Sequence, residues 1–254
     1  MGLRHVVVTS VTRDDVPDGG ARHWAAVVEA IRKENPDATI ELLIPDLDAR
    51  EDLIEVVLAS KPDIVGHNIE TVERLTPLVR SRAKYRTSLR TLEIISRSGA
   101  VAKSGLMVGL GESDDEVLQT LRHLRDVGVE IVTLGQYLRP SLEHYPVAAY
   151  ITPEKFEWYR LQALDMGFSY CASAPLVRSS YLADAALEKL NPQADNLKKP
   201  GTNALGIVLD QLDEYVTSGN TAAADELGAS LAGASTAVLG MAAISDVDRQ
   251  LKAI

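Results

Sequence analysis

Apolar runs of strand length alternate with segments of helical periodicity from residue 5 to about residue 190. This alternation is typical of a parallel sheet with helices packed on it, because parallel strands are joined by crossover helices. Six runs rich in Val, Ile and Leu, as strands covered on both faces tend to be, are predicted to be strands. They are His5–Ser10, Thr39–Ile44, Asp63–His67, Lys103–Val108, Val129–Gly135 and Gly167–Cys171.

The segments between these runs carry helix signals. Apolar residues recur at i, i+3, i+4 and i+7, and Ser or Thr stands where an N-cap is needed. Ser113 and Glu116 have the spacing of a capping box. Helices are predicted over Ala21–Asn35, Glu70–Arg80 and Ser88–Ser98, and after the N-caps Ser113 and Thr152.

The character of the chain changes after Leu190. Residues 191–202 are polar and rich in helix breakers, which predicts a linker. Residues 203–254 are rich in Ala, Gly and Leu and predict a helical tail without a recognisable chemical motif. The expected organisation is therefore an α/β domain over residues 1–190, the linker, and a tail that packs on this domain or on a partner subunit.

Charge and hydropathy exclude some partners. The net charge of −10 and the pI near 5.0 disfavour nucleic acid, because phosphate binding needs a clustered basic surface. The sequence contains no apolar run of about 18 residues that would predict a membrane span, and its first residues lack a signal-peptide pattern. We expect a cytoplasmic protein. The single cysteine, Cys171, can form no internal disulfide and no thiolate cluster for zinc or iron.

Loops after the carboxyl ends of parallel strands build the site in such folds. The first loop, residues 9–20, ends in Gly19 and Gly20, which suit either close approach to a ligand or a surface turn. Asn68 and Glu70 follow the third strand and would hold an amine or ribose, or cap a helix. His67 is expected to be a packed, hydrogen-bonded histidine.

Glycines mark the end of the fourth strand. The backbone amides of the segment Gly105–Glu112 could meet a nucleoside or an anion, but its glycine spacing fits neither a Walker nor a dinucleotide motif. After the last strand, Arg178, Ser179 and Ser180 suit either ligand binding or a helix N-cap. Ser179 lacks the glycine-flanked elbow of a hydrolase nucleophile.

Taken in order, five segments of this chain closely resemble lipoyl synthases. They are Val8–Ala21, His67–Thr71, Lys103–Glu112, Leu134–Leu138 and Arg178–Tyr181, within a match that runs from residue 2 to about residue 185. The resemblance implies an α/β fold: a partial (β/α) barrel of the radical S-adenosylmethionine (SAM) type, with the first βα unit missing and a C-terminal helical extension.

The resemblance also implies an activity. In the family, S-adenosylmethionine lies across the strand ends and is cleaved reductively to a 5′-deoxyadenosyl radical, which removes hydrogens from C6 and C8 of an octanoyl chain. Sulfur comes from a second, sacrificial 4Fe–4S cluster. The octanoyl chain is carried by another protein, a lipoyl domain of a 2-oxoacid dehydrogenase or the glycine-cleavage H protein.

Site residues carried over from the family fall into three groups, and none is assigned as catalytic. Ser179, or else Ser180, would bind an iron of the auxiliary cluster, as a weak alkoxide ligand that can leave when the cluster is dismantled. The implied substrate residues are Gln136, Tyr137, Arg139 and Arg178. The implied SAM-binding residues are Thr9, Ser10, Asp18, Gly19, Gly20, Asn68, Glu70, Gly105, Gly109, Gly111 and Glu112.

The chain departs from the family in its cysteines. The family has two sets of three cluster cysteines upstream of the matched region, whereas Cys171 stands outside either motif. A 4Fe–4S cluster needs about four ligands, mostly thiolates, so neither cluster is expected to assemble in this chain alone.

Three explanations fit the missing cysteines. The favoured one is a fragment or misplaced start. The others are one half of a split enzyme completed by a cysteine-bearing partner chain, and a barrel that binds SAM or octanoylated carrier without radical chemistry. An unrelated phosphate-binding barrel enzyme is the alternative from another class.

Overall fold

The computed structural model describes residues 3–80 and 82–180. Within them, six parallel strands form one sheet in the order β1-β2-β3-β4-β5-β6, which confirms the α/β class. The predicted linker and helical tail lie outside the described residues. The strands are β1 His5–Thr9, β2 Thr39–Leu43, β3 Ile64–Gly66, β4 Val101–Val108, β5 Ile131–Gln136 and β6 Tyr170–Ser173.

Six α-helices connect or flank these strands in the described part of the chain. They are α1 Ala21–Glu34, α2 Glu51–Ala59, α3 Thr76–Val79, α4 Tyr85–Arg97, α5 Asp114–Asp126 and α6 Pro153–Asp165. Ser113 accepts from the backbone N–H of Glu116, whose side chain bonds back to Ser113 N, so the predicted capping box is confirmed. Thr152 caps α6 by accepting from Lys155 N.

The helix predicted over Glu70–Arg80 is wrong in its first half. Glu70 has a positive φ of 66° and bonds to β4 on both sides, donating to Gly105 O at 3.0 Å and accepting from Met107 N at 2.8 Å. This pairing with a distant strand prevents a helix, which forms only over α3. The helix α2, which buries Ile54 and Val57, was not predicted.

The two faces of the sheet bury different layers. Alternate strand residues such as Ile40, Leu42 and Val132 join the main core with the helices, where fully burying a Leu or Ile contributes about 1.5–3 kcal/mol. On the opposite face, Ile64 and Ile131 form a separate apolar cluster. Because side chains alternate between the two faces along each strand, the residues two positions after Ile64 and Ile131 lie on this second face, closer to the strand ends.

The described residues fall into two compact units. The first contains the sheet and all six helices, over residues 3–80, 82–139 and 145–180. Pro140–His144 belong to the second unit, and in this short segment Ser141 Oγ lies 2.9 Å from His144 Nδ1. Among the described residues, no helix is both long and apolar enough to cross a membrane.

Candidate functional site

A cavity of about 760 Å³ opens at the carboxyl ends of β1, β2 and β3, and we call it the strand-end cavity. Five of the predicted SAM-binding residues line it together: Thr9, Ser10, Gly19, Asn68 and Glu70. They come from two loops far apart in sequence, and the parallel sheet brings these loops to one edge. A volume of this size suits a nucleoside-sized ligand.

Asp18 and Gly20 shape the loop that enters α1. Asp18 accepts hydrogen bonds from the backbone N–H groups of Gly20 at 3.1 Å and Arg22 at 3.3 Å. These two bonds lower the pKa of the Asp18 carboxyl below its ordinary value. Gly20 has a φ of 86°, a conformation that favours glycine. Asp18 therefore acts first as a cap of α1, and its ligand role stays a prediction.

Asn68 and Gly105 lie in close contact beside the cavity. A Cβ at position 105 would stand 3.0 Å from Asn68 Oδ1 and 2.6 Å from Thr133 Oγ1. Only glycine lets the Asn68 amide approach β4 this closely. Gly105 thus leaves space for Asn68, and its own contact with SAM stays a prediction.

Glu70 is half-buried and faces charged neighbours. Burial raises the pKa of its carboxyl, while the Arg80 guanidinium and a hydrogen bond with Asn68 act in the opposite direction. Arg80 is itself half-buried, and burial lowers its pKa although Glu70 and Asp46 oppose the change. The cavity wall therefore contains a carboxyl group and a guanidinium group whose charges act on each other.

Several charged residues of the cavity were missed by the sequence analysis. The loop after β2 contributes Asp46, Asp48 and Arg50, and Arg82 forms an ion pair with Asp14 across the cavity lining. The loop after β2 could have been found by the strand-end rule that identified the other loops. Arg80 and Arg82 follow a helix, so no strand-end signal marks them.

The remaining predicted SAM-binding residues follow β4 and shape the loop that leads to α5. Glu112 accepts from Gly109 N at 2.6 Å and Leu110 N at 2.9 Å, and Gly111 has a φ of 98°. The glycine at 109 is required because a Cβ there would lie 2.3 Å from Gln136 Nε2. None of the predicted residues Gly109, Gly111, Glu112 and Gln136 lines the strand-end cavity.

Gln136 and Tyr137 hold the segment that follows. The Gln136 amide donates to Tyr137 O and Ala149 O, each at 3.0 Å, and accepts from Ile151 N at 2.9 Å. Tyr137 Oη donates to Tyr145 O at 2.7 Å. These polar groups are already committed to the backbone, so their substrate role stays a prediction. The half-buried Arg139 follows them in the chain.

The segment after β6 crosses the end of β5. A Cβ at Gly135 would lie 2.2 Å from Val177 O, so glycine is required for this crossing. Arg178 Nη1 donates to Val177 O at 2.7 Å, within its own turn. Ser179 is half-buried and Ser180 is exposed at the end of the described residues.

The residues of this chain do not fit an iron-sulfur cluster. Cys171 is 5% exposed in the main core, and burial raises the pKa of its thiol to about 12. Within residues 3–80 and 82–180, no group of three or more His, Cys, Asp or Glu side chains is placed to hold a metal ion. The whole sequence contains no second cysteine.

The described chain has an all-parallel sheet with a candidate site at its strand ends, and the family comparison agrees with this architecture. The family model of the radical SAM superfamily matches residues 1–124. The crystal structure of methylornithine synthase superposes with a TM-score of 0.51 at 12% identity, covering 80% of this chain and 70% of that one. This likeness supports the predicted fold.

Curated relatives identify the particular family. A lipoyl synthase of Parabacteroides distasonis is 52% identical over 184 residues, which cover 72% of this chain and 66% of that protein. A lipoyl synthase of Porphyromonas gingivalis is 51% identical over 188 residues, covering 74% and 67%. The chain belongs to the lipoyl synthase family, as predicted, and spans about two thirds of the length of these relatives.

Proposed function

We propose that the strand-end cavity binds S-adenosylmethionine and that the chain is the SAM-binding part of a lipoyl synthase. The observation that carries the proposal is the meeting of Asn68 and Glu70 with Thr9, Ser10 and Gly19 in one cavity of about 760 Å³. Membership of the lipoyl synthase family supports this choice of ligand.

The charges of the cavity suit a ligand with both cationic and anionic groups. Glu70 and Asn68 would take the amine or ribose, because carboxylate and amide oxygens accept from N–H and O–H donors. Arg50 and Arg80 would face a carboxylate, for which guanidinium is the preferred partner. When bound and reduced, S-adenosylmethionine would supply the radical that activates unreactive C–H bonds.

The proposed overall reaction is insertion of two sulfur atoms at C6 and C8 of a protein-bound octanoyl chain. Its two 4Fe–4S clusters need thiolates that these 254 residues do not contain. We therefore place the cluster cysteines on polypeptide outside these residues. Ser179, with Ser180 as second choice, is the proposed ligand to the auxiliary cluster, and an octanoylated lipoyl domain or H protein is the proposed partner.

Calorimetric titration with S-adenosylmethionine tests the binding proposal directly. We expect saturable binding at one site, weakened about tenfold or more by Glu70→Gln and by Asn68→Ala, because each removes a hydrogen bond to a charged or polar ligand group. Glu73→Gln, an exposed carboxylate paired with Arg86, is the matched control. Binding of sugar phosphates without S-adenosylmethionine would instead favour an unrelated barrel enzyme.

A second candidate is a barrel that binds without radical chemistry, and the single cysteine favours it. The test is anaerobic incubation of the chain with iron, sulfide, S-adenosylmethionine and dithionite, followed by assay for 5′-deoxyadenosine. A stable complex with octanoylated H protein and no 5′-deoxyadenosine would support the binding function. Formation of 5′-deoxyadenosine by this chain alone would rule out our assignment of the cysteines to other polypeptide.

A further inference from the structure

A directed chain of hydrogen bonds runs along the wall of the strand-end cavity, from Arg80 through Ser88 and His67 to Ile44 O, and of these residues Arg80, His67 and Ile44 line the cavity. His67 Nδ1 lies 2.9 Å from Ile44 O, and a carbonyl can only accept, so Nδ1 carries the proton. Arg80 Nη1 donates to Ser88 Oγ at 2.9 Å, because a guanidinium can only donate. The Ser88 hydroxyl proton then points to His67 Nε2, which lies 2.9 Å away.

The two middle members of this chain are almost completely buried. His67, which directly follows β3, is 3% exposed, and Ser88 in α4 is 0% exposed. Burial lowers the pKa of His67 to about 4, and the nearby Arg80 charge acts in the same direction. The neutral imidazole is therefore the form that accepts the Ser88 proton at neutral pH.

The chain ends at the cavity, whose lining contains both Arg80 and Glu70. Arg80 Nη1 also lies 3.4 Å from Ile69 O, next to Glu70 in sequence. The charged or titratable groups that interact with this pair are Asp46 and His67, and Asn68 bonds to the Glu70 carboxyl. Arg80 is the cationic group that acts on Glu70 and opposes its burial.

We propose that His67 and Ser88 are positioning residues, which hold Arg80 at the cavity wall and so keep Glu70 in its carboxylate form for a cationic group of the ligand. The inference rests on the proposed function for the identity of that ligand. The dependence of the Glu70 protonation state on Ser88 and His67 can be tested without any ligand.

The mechanism is electrostatic. With the Ser88 hydroxyl removed, Arg80 loses an anchor and becomes free to turn toward solvent. The effect of its charge on Glu70 then weakens, while the burial of Glu70 is unchanged. The pKa of Glu70 rises further above its ordinary value, so the carboxylate is lost at a higher pH than in the unaltered protein. Ligand binding that needs the carboxylate must fall first at low pH.

The first measurement is a pH titration of the Glu70 carboxyl, monitored by 13C NMR. The protein is labelled at the glutamate carboxyl carbons, and the Glu70 signal is assigned by its absence in Glu70→Gln. We expect Ser88→Ala to move the midpoint of this titration upward. Thr120→Val, which removes another buried hydroxyl that bonds to Glu116 O within α5, should leave it unchanged.

The second measurement is a rescue at His67. His67→Leu removes the acceptor for the Ser88 proton, and His67→Gln restores an oxygen acceptor near Nε2. We expect the leucine variant to shift Glu70 as Ser88→Ala does and the glutamine variant to lie closer to the unaltered protein. Equal shifts in both variants, or an unchanged midpoint in Ser88→Ala, would overturn the inference.

The third measurement is the affinity for S-adenosylmethionine between pH 6 and 8. In Ser88→Ala we expect a loss of affinity relative to the unaltered protein that is largest at the lowest pH measured and narrows as the pH rises, because a higher pH restores the carboxylate. A pH-independent loss would mean a merely structural role and would overturn the inference. If the unaltered protein binds no S-adenosylmethionine while Ser88→Ala still shifts Glu70, the proposed function fails and the positioning chain stands.

Discussion

Lys103 Nζ lies 2.7 Å from Glu41 Oε1, and the two side chains are only 3% and 2% exposed. They come from β4 and β2 and meet on the face of the sheet opposite the main core. Glu41 is the middle residue of β2, and Lys103 is the third residue of β4, two residues before Gly105. The buried pair thus joins the strands just below the strand-end cavity.

Breaking this pair should destabilise the fold strongly. Lys103→Met leaves the Glu41 carboxylate buried without the Lys103 ammonium, with the His5 imidazole 3.7 Å away as its remaining neighbour, and such changes cost about 3–5 kcal/mol. The measurement is urea unfolding followed by circular dichroism. Arg160→Ala, which breaks the partly exposed pair with Glu157, should cost less than about 1 kcal/mol.

The double variant Glu41→Leu with Lys103→Met distinguishes the pair from simple packing. Because it removes both charges, we expect it to recover most of the stability lost in Lys103→Met. A double variant as unstable as the single one would show that the aliphatic stem of Lys103, and not its charge, is what the fold requires.

The close approach of Asn68 to β4 gives a prediction about binding. Gly105→Ala would place a Cβ 2.6 Å from Thr133 Oγ1 and 3.0 Å from Asn68 Oδ1. We expect the Asn68 amide to be displaced and the affinity for S-adenosylmethionine to fall about tenfold or more, as measured by calorimetry.

Two further variants control for the glycine substitution. Adding Thr133→Ala removes the nearer contact and should restore part of the affinity. Gly99→Ala strains a φ of 85° with no atom within 4 Å of its Cβ, so it should lower stability and leave affinity unchanged. If Gly99→Ala lowered the affinity as much as Gly105→Ala does, the loss in Gly105→Ala would reflect general destabilisation and not displacement of Asn68.

The six strands could be predicted because strands covered on both faces are continuous apolar runs, and each was found within a few residues of its prediction. The error at Glu70–Arg80 has a physical cause. Helical spacing and capping residues are local signals, whereas Glu70 pairs with Gly105 and Met107 through hydrogen bonds that no local pattern encodes.

The candidate site was predictable only where it follows a strand. Asn68 and Glu70 were identified because the end of β3 must lie beside the ends of its neighbours. Arg80 and Ser88 come from segments between strands, and their link to His67 exists only in the folded chain. These contacts of Ser88 with His67 and Arg80 depend on how α4 packs on the sheet, and the spacing of residues in the sequence does not determine that packing.

The capping box of α5 predicts a pH-dependent contribution to stability. Hydrogen bonds from Arg74 and from Ser113 N lower the pKa of Glu116 from 4.5 to about 2. Because the folded-state pKa is the lower one, the stabilisation is fully present above pH 4.5 and is lost as the pH falls toward about 2.

Glu116→Gln removes this contribution. We expect the variant to be less stable than the unaltered protein at pH 6 and to converge with it as the pH falls below about 4. Urea midpoints at several pH values measure the difference. Glu29→Gln, an exposed position of α1, is the control. A constant difference between pH 6 and 3 would contradict the role given to the Glu116 carboxylate.

Cys171 provides a test of the conclusion that this chain holds no cluster of its own. Its thiol is buried in the main core and its pKa is raised to about 12, so very little thiolate exists at neutral pH. We expect labelling by a thiol reagent to be slow in the native protein, limited by local opening, and rapid and complete in guanidinium chloride.

The same residue should have no part in iron binding. After anaerobic incubation with iron and sulfide, Cys171→Ala should retain as little iron as the unaltered chain and bind S-adenosylmethionine with the same affinity. Iron content and affinity can be measured on one preparation. A stoichiometric cluster in the unaltered chain that is lost in Cys171→Ala would mean that this thiol becomes accessible, against its burial beside α6, and that ligands other than the six family cysteines suffice.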